Sequence, residues 1–135
     1  MVGHDLTIQK GASLVVTGIK VGHDLKAKGA ATVQLTGGRI DHDAQLYNVG
    51  GGPNALCGIS IGHDLSIQDG SGDWVVGNPS SCPGNTIGHD VRVQNTQGEV
   101  VINENTIGHA LQCQGNFPVP EAGSNLVNGN LQAGC

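Results

Sequence analysis

All six histidines of this 135-residue chain sit in one recurring pentad, aliphatic-Gly-His-Asp-Leu. It reads Val2-Gly3-His4-Asp5-Leu6, Val21-Gly22-His23-Asp24-Leu25, Ile40-Asp41-His42-Asp43-Ala44, Ile61-Gly62-His63-Asp64-Leu65, Ile87-Gly88-His89-Asp90-Val91 and Ile107-Gly108-His109-Ala110-Leu111. A seventh copy, Val127-Asn128-Gly129-Asn130-Leu131, lacks the histidine. Imidazole beside carboxylate can do three kinds of chemistry. It can move protons, ligate Zn²⁺, Ni²⁺ or Cu²⁺, or satisfy backbone amides at a turn. Catalysis requires one localised site with a distinct reacting group, whereas this motif is repeated with little variation. No Ser-His-Asp set with its own nucleophile is apparent. The chain is therefore expected not to be an enzyme, and no catalytic residue is assigned.

The lead residues fall at positions 2, 21, 40, 61, 87, 107 and 127, a period near 20. That period suits the coil of a β-solenoid or a short leucine-rich repeat. The second option fails because no helical i, i+3, i+4 pattern is present. Apolar residues instead alternate with period two, as in Leu6 and Ile8, Leu14 and Val16, Val33 and Leu35, Leu65 and Ile67, Val91 and Val93, and Val100 and Ile102. The expected fold is all-β, a parallel β-solenoid (β-helix) of six to seven coils with about three short strands each. It forms one domain over residues 1–135, and its handedness is left open. Coils stacked ~4.8 Å apart pair each other's backbone groups and build aliphatic ladders. The longest gap between pentads predicts an inserted loop over 77–84, and Trp74 is expected to pack against it. Asn85, Asn105 and Asn125 align as an amide ladder at one corner.

Stacking places His4, His23, His42, His63, His89 and His109 in one column. Asp5, Asp24, Asp43, Asp64 and Asp90 form a second column beside it, and both are expected to be largely exposed. The plainest reading is a structural corner, in which Asp bonds backbone amides and the imidazoles stack. The alternative is a metal site or metal-driven assembly formed by these eleven residues. In that reading two imidazoles from adjacent coils lean together over a weakly bound Zn²⁺, Ni²⁺ or Cu²⁺. No cofactor is required for either. Mutual repulsion in the column lowers imidazole pKa values and the carboxylates raise them, so the sign is open at this stage.

The remaining composition excludes several classes. Six Lys+Arg against eleven Asp+Glu give a net charge of −5, against nucleic acid as a partner. No apolar run approaches the ~18 residues of a membrane span. Four cysteines without a CxxC pair argue for two disulfides and hence for a secreted or cell-surface protein. Three connectivities exist. Cys57 and Cys82 precede their next pentads by four and five residues, which favours Cys57–Cys82 on adjacent coils. Cys113–Cys135 then ties down a C-terminal cap over 113–135. The chain opens inside a pentad with no leader before it, as a mature or trimmed form would. The N-terminal coil has no cap of this kind and is expected to offer an edge for self-association.

The C-terminal stretch Asn105-Thr106-Ile107-Gly108, Leu111-Gln112-Cys113-Gln114-Gly115-Asn116-Phe117-Pro118-Val119-Pro120, Asn125-Leu126-Val127-Asn128-Gly129-Asn130 and Gly134-Cys135 resembles the ending of Gly/Asn-rich repeat proteins exported by actinobacteria. Their corner reads Ile-Gly-Gly-Asn-Leu rather than Ile-Gly-His-Asp-Leu. The resemblance implies secretion and a parallel β-helix without an established activity. A weaker resemblance is to bactofilins, whose Gly-rich β-helices assemble end to end; a disulfide cap is not expected there. The functional expectation is a non-enzymatic extracellular module for structure, surface display or self-assembly, with transition-metal binding as the alternative.

Overall fold

A computed structural model describes residues 3–78, 82–128 and 131–135, with the side chains of 131–133 left aside. Seventeen strands and no helix occur among the described residues. Accordingly no helix is long and apolar enough to cross a membrane.

The strands stack into a parallel β-solenoid of about six turns. Three faces wind about the core. The first comprises Leu6–Ile8, Leu25–Lys28, Ala44–Tyr47, Leu65–Gln68, Val91–Gln94, Ala110–Gln114 and Leu131–Ala133, paired in that order. The second carries Asn54–Cys57, Trp74–Val76, Val100–Asn103 and Glu121–Gly123, and the third Ser60–Ile61, Thr86–Ile87, Thr106–Ile107 and Leu126–Val127. In the first two coils the second and third faces are one long strand, Ser13–Val21 and Thr32–Ile40. Every strand pair in these sheets is parallel, and like residues lie over like until the last pair of the first face, where the register shifts by one and Ala110 pairs with Leu131 and Leu111 with Gln132. Leu25 pairs with Ala44, Ala44 with Leu65, Leu65 with Val91 and Val91 with Leu111.

The period-two alternation dictates this burial. Inward residues such as Leu25, Leu35, Leu46, Leu56, Ile67, Val93 and Ile102 are buried, whereas most strand residues between them are half-buried or exposed, Ser66 being a buried exception. Each fully covered Leu or Ile contributes roughly 1.5–3 kcal/mol of hydrophobic stabilisation. Small aliphatic side chains fill the narrow interior, with one exception. Trp74 was expected against the inserted loop, but it points inward on the second face between Asn54 and Val100 and is 1% exposed. Its strand position, in register with Val100, places it there.

The predicted loop over 77–84 lies partly outside the described residues, at 79–81. At its base Asn78 and Cys82 exchange two backbone hydrogen bonds of 2.5 and 3.0 Å. Disulfides join Cys57 to Cys82 and Cys113 to Cys135, with Cα–Cα distances of 4.8 and 5.2 Å. The seventh pentad falls partly outside the described residues, at 129–130, as does Val2 of the first.

Candidate functional site

The pentad forms the corner between the third and first faces. Its lead aliphatic ends one strand and its fifth residue begins the next, or its fourth, Ala110, in the sixth copy; Ile61 and Leu65 are both buried. Between them the backbone stays paired from coil to coil. The His42 N–H donates to the His23 carbonyl, His63 to His42, His89 to His63 and His109 to His89, all at 2.9–3.0 Å. Glycine precedes the histidine because coils approach closely there. A Cβ on Gly88 would lie 2.3 Å from the Gly62 carbonyl oxygen, and one on Gly108 2.1 Å from that of Gly88. The third pentad carries Asp41 at this place, and its carboxylate pairs with Arg39 Nε at 2.6 Å.

The side chains interlock between coils. Asp5 Oδ1 accepts from His23 Nδ1 at 2.7 Å and from the Asp24 backbone N–H at 3.0 Å. Asp24 does the same for His42 (2.8 Å) and the Asp43 N–H, and Asp43 for His63 (3.0 Å) and the Asp64 N–H. Asp64 holds His89 (2.9 Å) and the Asp90 N–H; Asp90 holds His109 (2.8 Å) and the Ala110 N–H. Each histidine is thus bonded to the aspartate one coil earlier. The aspartate of its own pentad stands farther off, at 3.4–3.6 Å for His23, His42, His63 and His89. Cations reach the outer carboxylate oxygen at three rungs, Lys26 Nζ on Asp5 and Arg92 on both Asp90 (3.0 Å) and Asp64 (3.7 Å).

The expected exposure holds for only one of the two columns. The imidazoles are 45–57% exposed, but Asp24 and Asp90 are buried and Asp43 and Asp64 half-buried. Asp5, on the first coil, makes the same pair of bonds yet is exposed, with its side chain 38% accessible. His23, His42, His63, His89 and His109 stack with centroids 5.0–5.1 Å apart and planes within 4–12°. The column therefore forms, but the rings do not lean together in pairs. His4 has neither a carboxylate partner nor a stacked ring among the described residues; the carboxylate that orients each of the other rings comes from the coil before.

The electrostatics follow from the bonds. The Asp24 backbone N–H, His23 and Lys26 together hold the Asp5 carboxyl well below the usual range. Burial alone would raise Asp24 and Asp64. The backbone N–H and imidazole of the next coil outweigh it, and both carboxyls are lowered. At His42 the bond to Asp24, aided by Asp43, raises the imidazole pKa, so carboxylate attraction prevails over column repulsion there. An ionised carboxylate only accepts, so each bonded imidazole carries its proton on Nδ1. Nε2 then keeps its lone pair.

Two kinds of metal geometry are available. Four sets, His23-Asp24-His42, His42-Asp43-His63, His63-Asp64-His89 and His89-Asp90-His109, each bring one ligand atom per residue within 4.8 Å of one another. On the Nε2 side, five imidazoles oriented by carboxylates present near-parallel lone pairs at the stacking distance. Two nitrogens on one tetrahedral ion stand only ~3.3 Å apart at Zn–N distances of ~2.0–2.1 Å, so these lone pairs do not converge on a shared ion. Of the sequence-expected ligands, the structure brings all but His4 into one bonded ladder.

A second ladder lies inside the molecule. Asn85 Oδ1 accepts from the Ile59 N–H, Asn105 Oδ1 from the Asn85 N–H and Asn125 Oδ1 from the Asn105 N–H, at 2.9–3.0 Å. Their Nδ2 groups donate to the Leu56, Val76 and Ile102 carbonyls. No family model, curated protein or solved structure matches this chain.

Proposed function

We propose that this chain is a non-enzymatic extracellular structural or display module whose His-Asp column fastens successive coils along one corner. One observation carries the reading. The same pair of bonds, imidazole Nδ1 and backbone N–H to one carboxylate oxygen, recurs at five rungs from Asp5 to Asp90. A reaction centre is a singular place; a fastening is repeated. The two disulfides agree with an exported protein and with the resemblance to secreted repeat proteins. Amide hydrogen exchange tests the fastening. The N–H groups of Asp43, Asp64 and Asp90 should be strongly protected, and Asp43→Ala should release Asp64 while sparing Asp90. Unprotected amides at all three positions would contradict the proposal.

The free Nε2 atoms favour a second reading, transition-metal binding by imidazoles that a carboxylate orients and makes more basic. Each ion would take one nitrogen per rung, with water or a second molecule completing its shell. Calorimetric titration with Zn²⁺, Ni²⁺ and Cu²⁺ tests it. Stoichiometric heat lost in His23→Ala/His63→Ala supports the reading, and no saturable heat with any of the three ions would exclude it.

A further inference from the structure

The bonded ladder has a geometry that its fastening role does not use. Each carboxylate from Asp24 to Asp90 lies between two imidazoles, and both present Nδ1 to it. Asp24 Oδ1 is 2.8 Å from His42 Nδ1, and Asp24 Oδ2 is 3.6 Å from His23 Nδ1. The corresponding distances are 3.0 and 3.4 Å at Asp43, 2.9 and 3.5 Å at Asp64, and 2.8 and 3.5 Å at Asp90. Ligand atoms around a tetrahedral Zn²⁺ stand ~3.3 Å apart, so these nitrogen–oxygen separations bracket the required one. All three ligand atoms of a set lie within 4.8 Å of one another. The nitrogens therefore need to close by at most ~1.5 Å, which two half-exposed rings supply by each tilting ~0.7 Å toward the carboxylate between them.

Neighbouring sets share a histidine. His42 belongs to the sets about Asp24 and Asp43, His63 to those about Asp43 and Asp64, and His89 to those about Asp64 and Asp90. A neutral imidazole offers one lone pair at Nδ1, and a ring that tilts toward one neighbour tilts away from the other. A filled set therefore bars the sets on either side of it, and the four together hold two ions at most. The sets are also unequal. Arg92 reaches the Oδ2 of Asp90 at 3.0 Å and of Asp64 at 3.7 Å, where it competes with a metal for that oxygen. Lysine and arginine side chains pair with Asp5, Asp41, Asp64 and Asp90, and among the described residues none pairs with Asp24 or Asp43. The tighter site therefore uses Asp24 or Asp43, and both of those sets include His42.

We infer that the ladder is a chelating array for Zn²⁺ or a divalent ion of like preference, in which the Nδ1 atoms of two successive imidazoles and the aspartate between them hold each ion, and only non-adjacent sets fill together. This rests on the metal-binding reading above and moves the ion from the outward Nε2 row to the inner Nδ1 face. Water completes the tetrahedral shell, as in other zinc sites with three protein ligands. On loading, each ligating ring gives up its Nδ1 proton and takes one at Nε2, so a neutral ring stays neutral. Each carboxylate from Asp24 to Asp90 retains the backbone N–H of the next coil, so the amide half of the fastening survives loading.

Calorimetric titration with Zn²⁺ tests this on the full chain carrying His4→Ala, which removes the imidazole outside the ladder. The expected stoichiometry is two ions per chain. Adding His42→Ala should lower it to one, because the sets that remain share His89. Adding His63→Ala instead should leave it at two, because the sets about Asp24 and Asp90 share no ring. Both rings are 48% exposed, so a general loss of imidazole predicts no difference between the variants. Trp74 fluorescence, reporting on the core, should be unchanged in both. In ¹⁵N NMR the ligating rings should pass from Nδ1–H to Nε2–H on loading. Five ions per chain, falling to four in either variant, would overturn the proposal in favour of the Nε2 row. An equal stoichiometry in the two variants would overturn it as well. Absence of saturable binding would overturn it together with the metal reading, and protected Asp43, Asp64 and Asp90 amides would then leave the fastening intact.

Discussion

Two corners of this solenoid solve the same problem with different chemistry. At both, a side-chain oxygen receives a backbone N–H from a neighbouring coil. At the inner corner the side chain is Asn, and Asn85 and Asn105 are each 1% exposed. Asn105 uses donor and acceptor together: its Oδ1 receives the Asn85 N–H and side chain, and its Nδ2 bonds the Val76 carbonyl. At the outer corner the side chain is Asp, and a half-exposed imidazole shares the same oxygen. The inner corner has no polar atom to spare, whereas the outer one leaves a row of nitrogens facing solvent. A purely mechanical corner needs only the Asn solution. The added histidines give the outer corner exposed nitrogens that the inner corner lacks.

The comparison can be broken at either corner. The largest loss is expected for Asn105→Ala, which strands several buried polar groups at ~1–3 kcal/mol each. Thermal or denaturant unfolding should show about 3 kcal/mol or more. Asp43→Ala removes the acceptor of one half-buried amide and one imidazole that water can reach. It should cost about 1–2 kcal/mol, and a loss equal to that of Asn105→Ala would erase the distinction. pH comes next. The pKa of His42 is raised, so its contribution is complete below the ordinary imidazole value of 6.5 and fades as pH rises through the folded value. Asp5, Asp24 and Asp64 are lowered, so theirs is complete above the ordinary 3.8 and fades as pH falls through the folded values. Melting temperature should therefore peak between those limits and decline toward pH 8 and toward pH 2; a peak above pH 7 would contradict the ladder. His63→Ala should matter least, under ~1 kcal/mol, because its bond is half-exposed.

Much of this was legible in the sequence because a repeat converts spacing into neighbourhood. Pentads about 20 residues apart place Leu65 beside Val91 whatever the loops do. Cys57 and Cys82 fall together by the same arithmetic, and so do Asn85 and Asn105. What the repeat hides is any contact decided by offset within the stack. His42 and Asp43 are adjacent in sequence, yet His42 bonds Asp24, because the shorter path from a corner imidazole runs to the carboxylate one coil earlier. That same offset ties the carboxylates under the rings, and from Asp24 to Asp90 they are buried or half-buried, against the expectation of an exposed acidic column. Trp74 eluded the repeat for a different reason. Asn54 and Val100 occupy its register and give no hint that the slot accommodates an indole. The merged strands Ser13–Val21 and Thr32–Ile40 lack the short-strand punctuation of later coils, since the pairing skips only Gly18 and Gly37 at the corner and resumes at Ile19 and Gly38.

The most direct test of the interlocked column is the tautomeric state of the six imidazoles, read by ¹⁵N NMR of the side chains above pH 7. His23, His42, His63, His89 and His109 should carry a slowly exchanging proton on Nδ1, held by the aspartate one coil earlier. Six equivalent imidazoles with the proton predominantly on Nε2 would contradict the account.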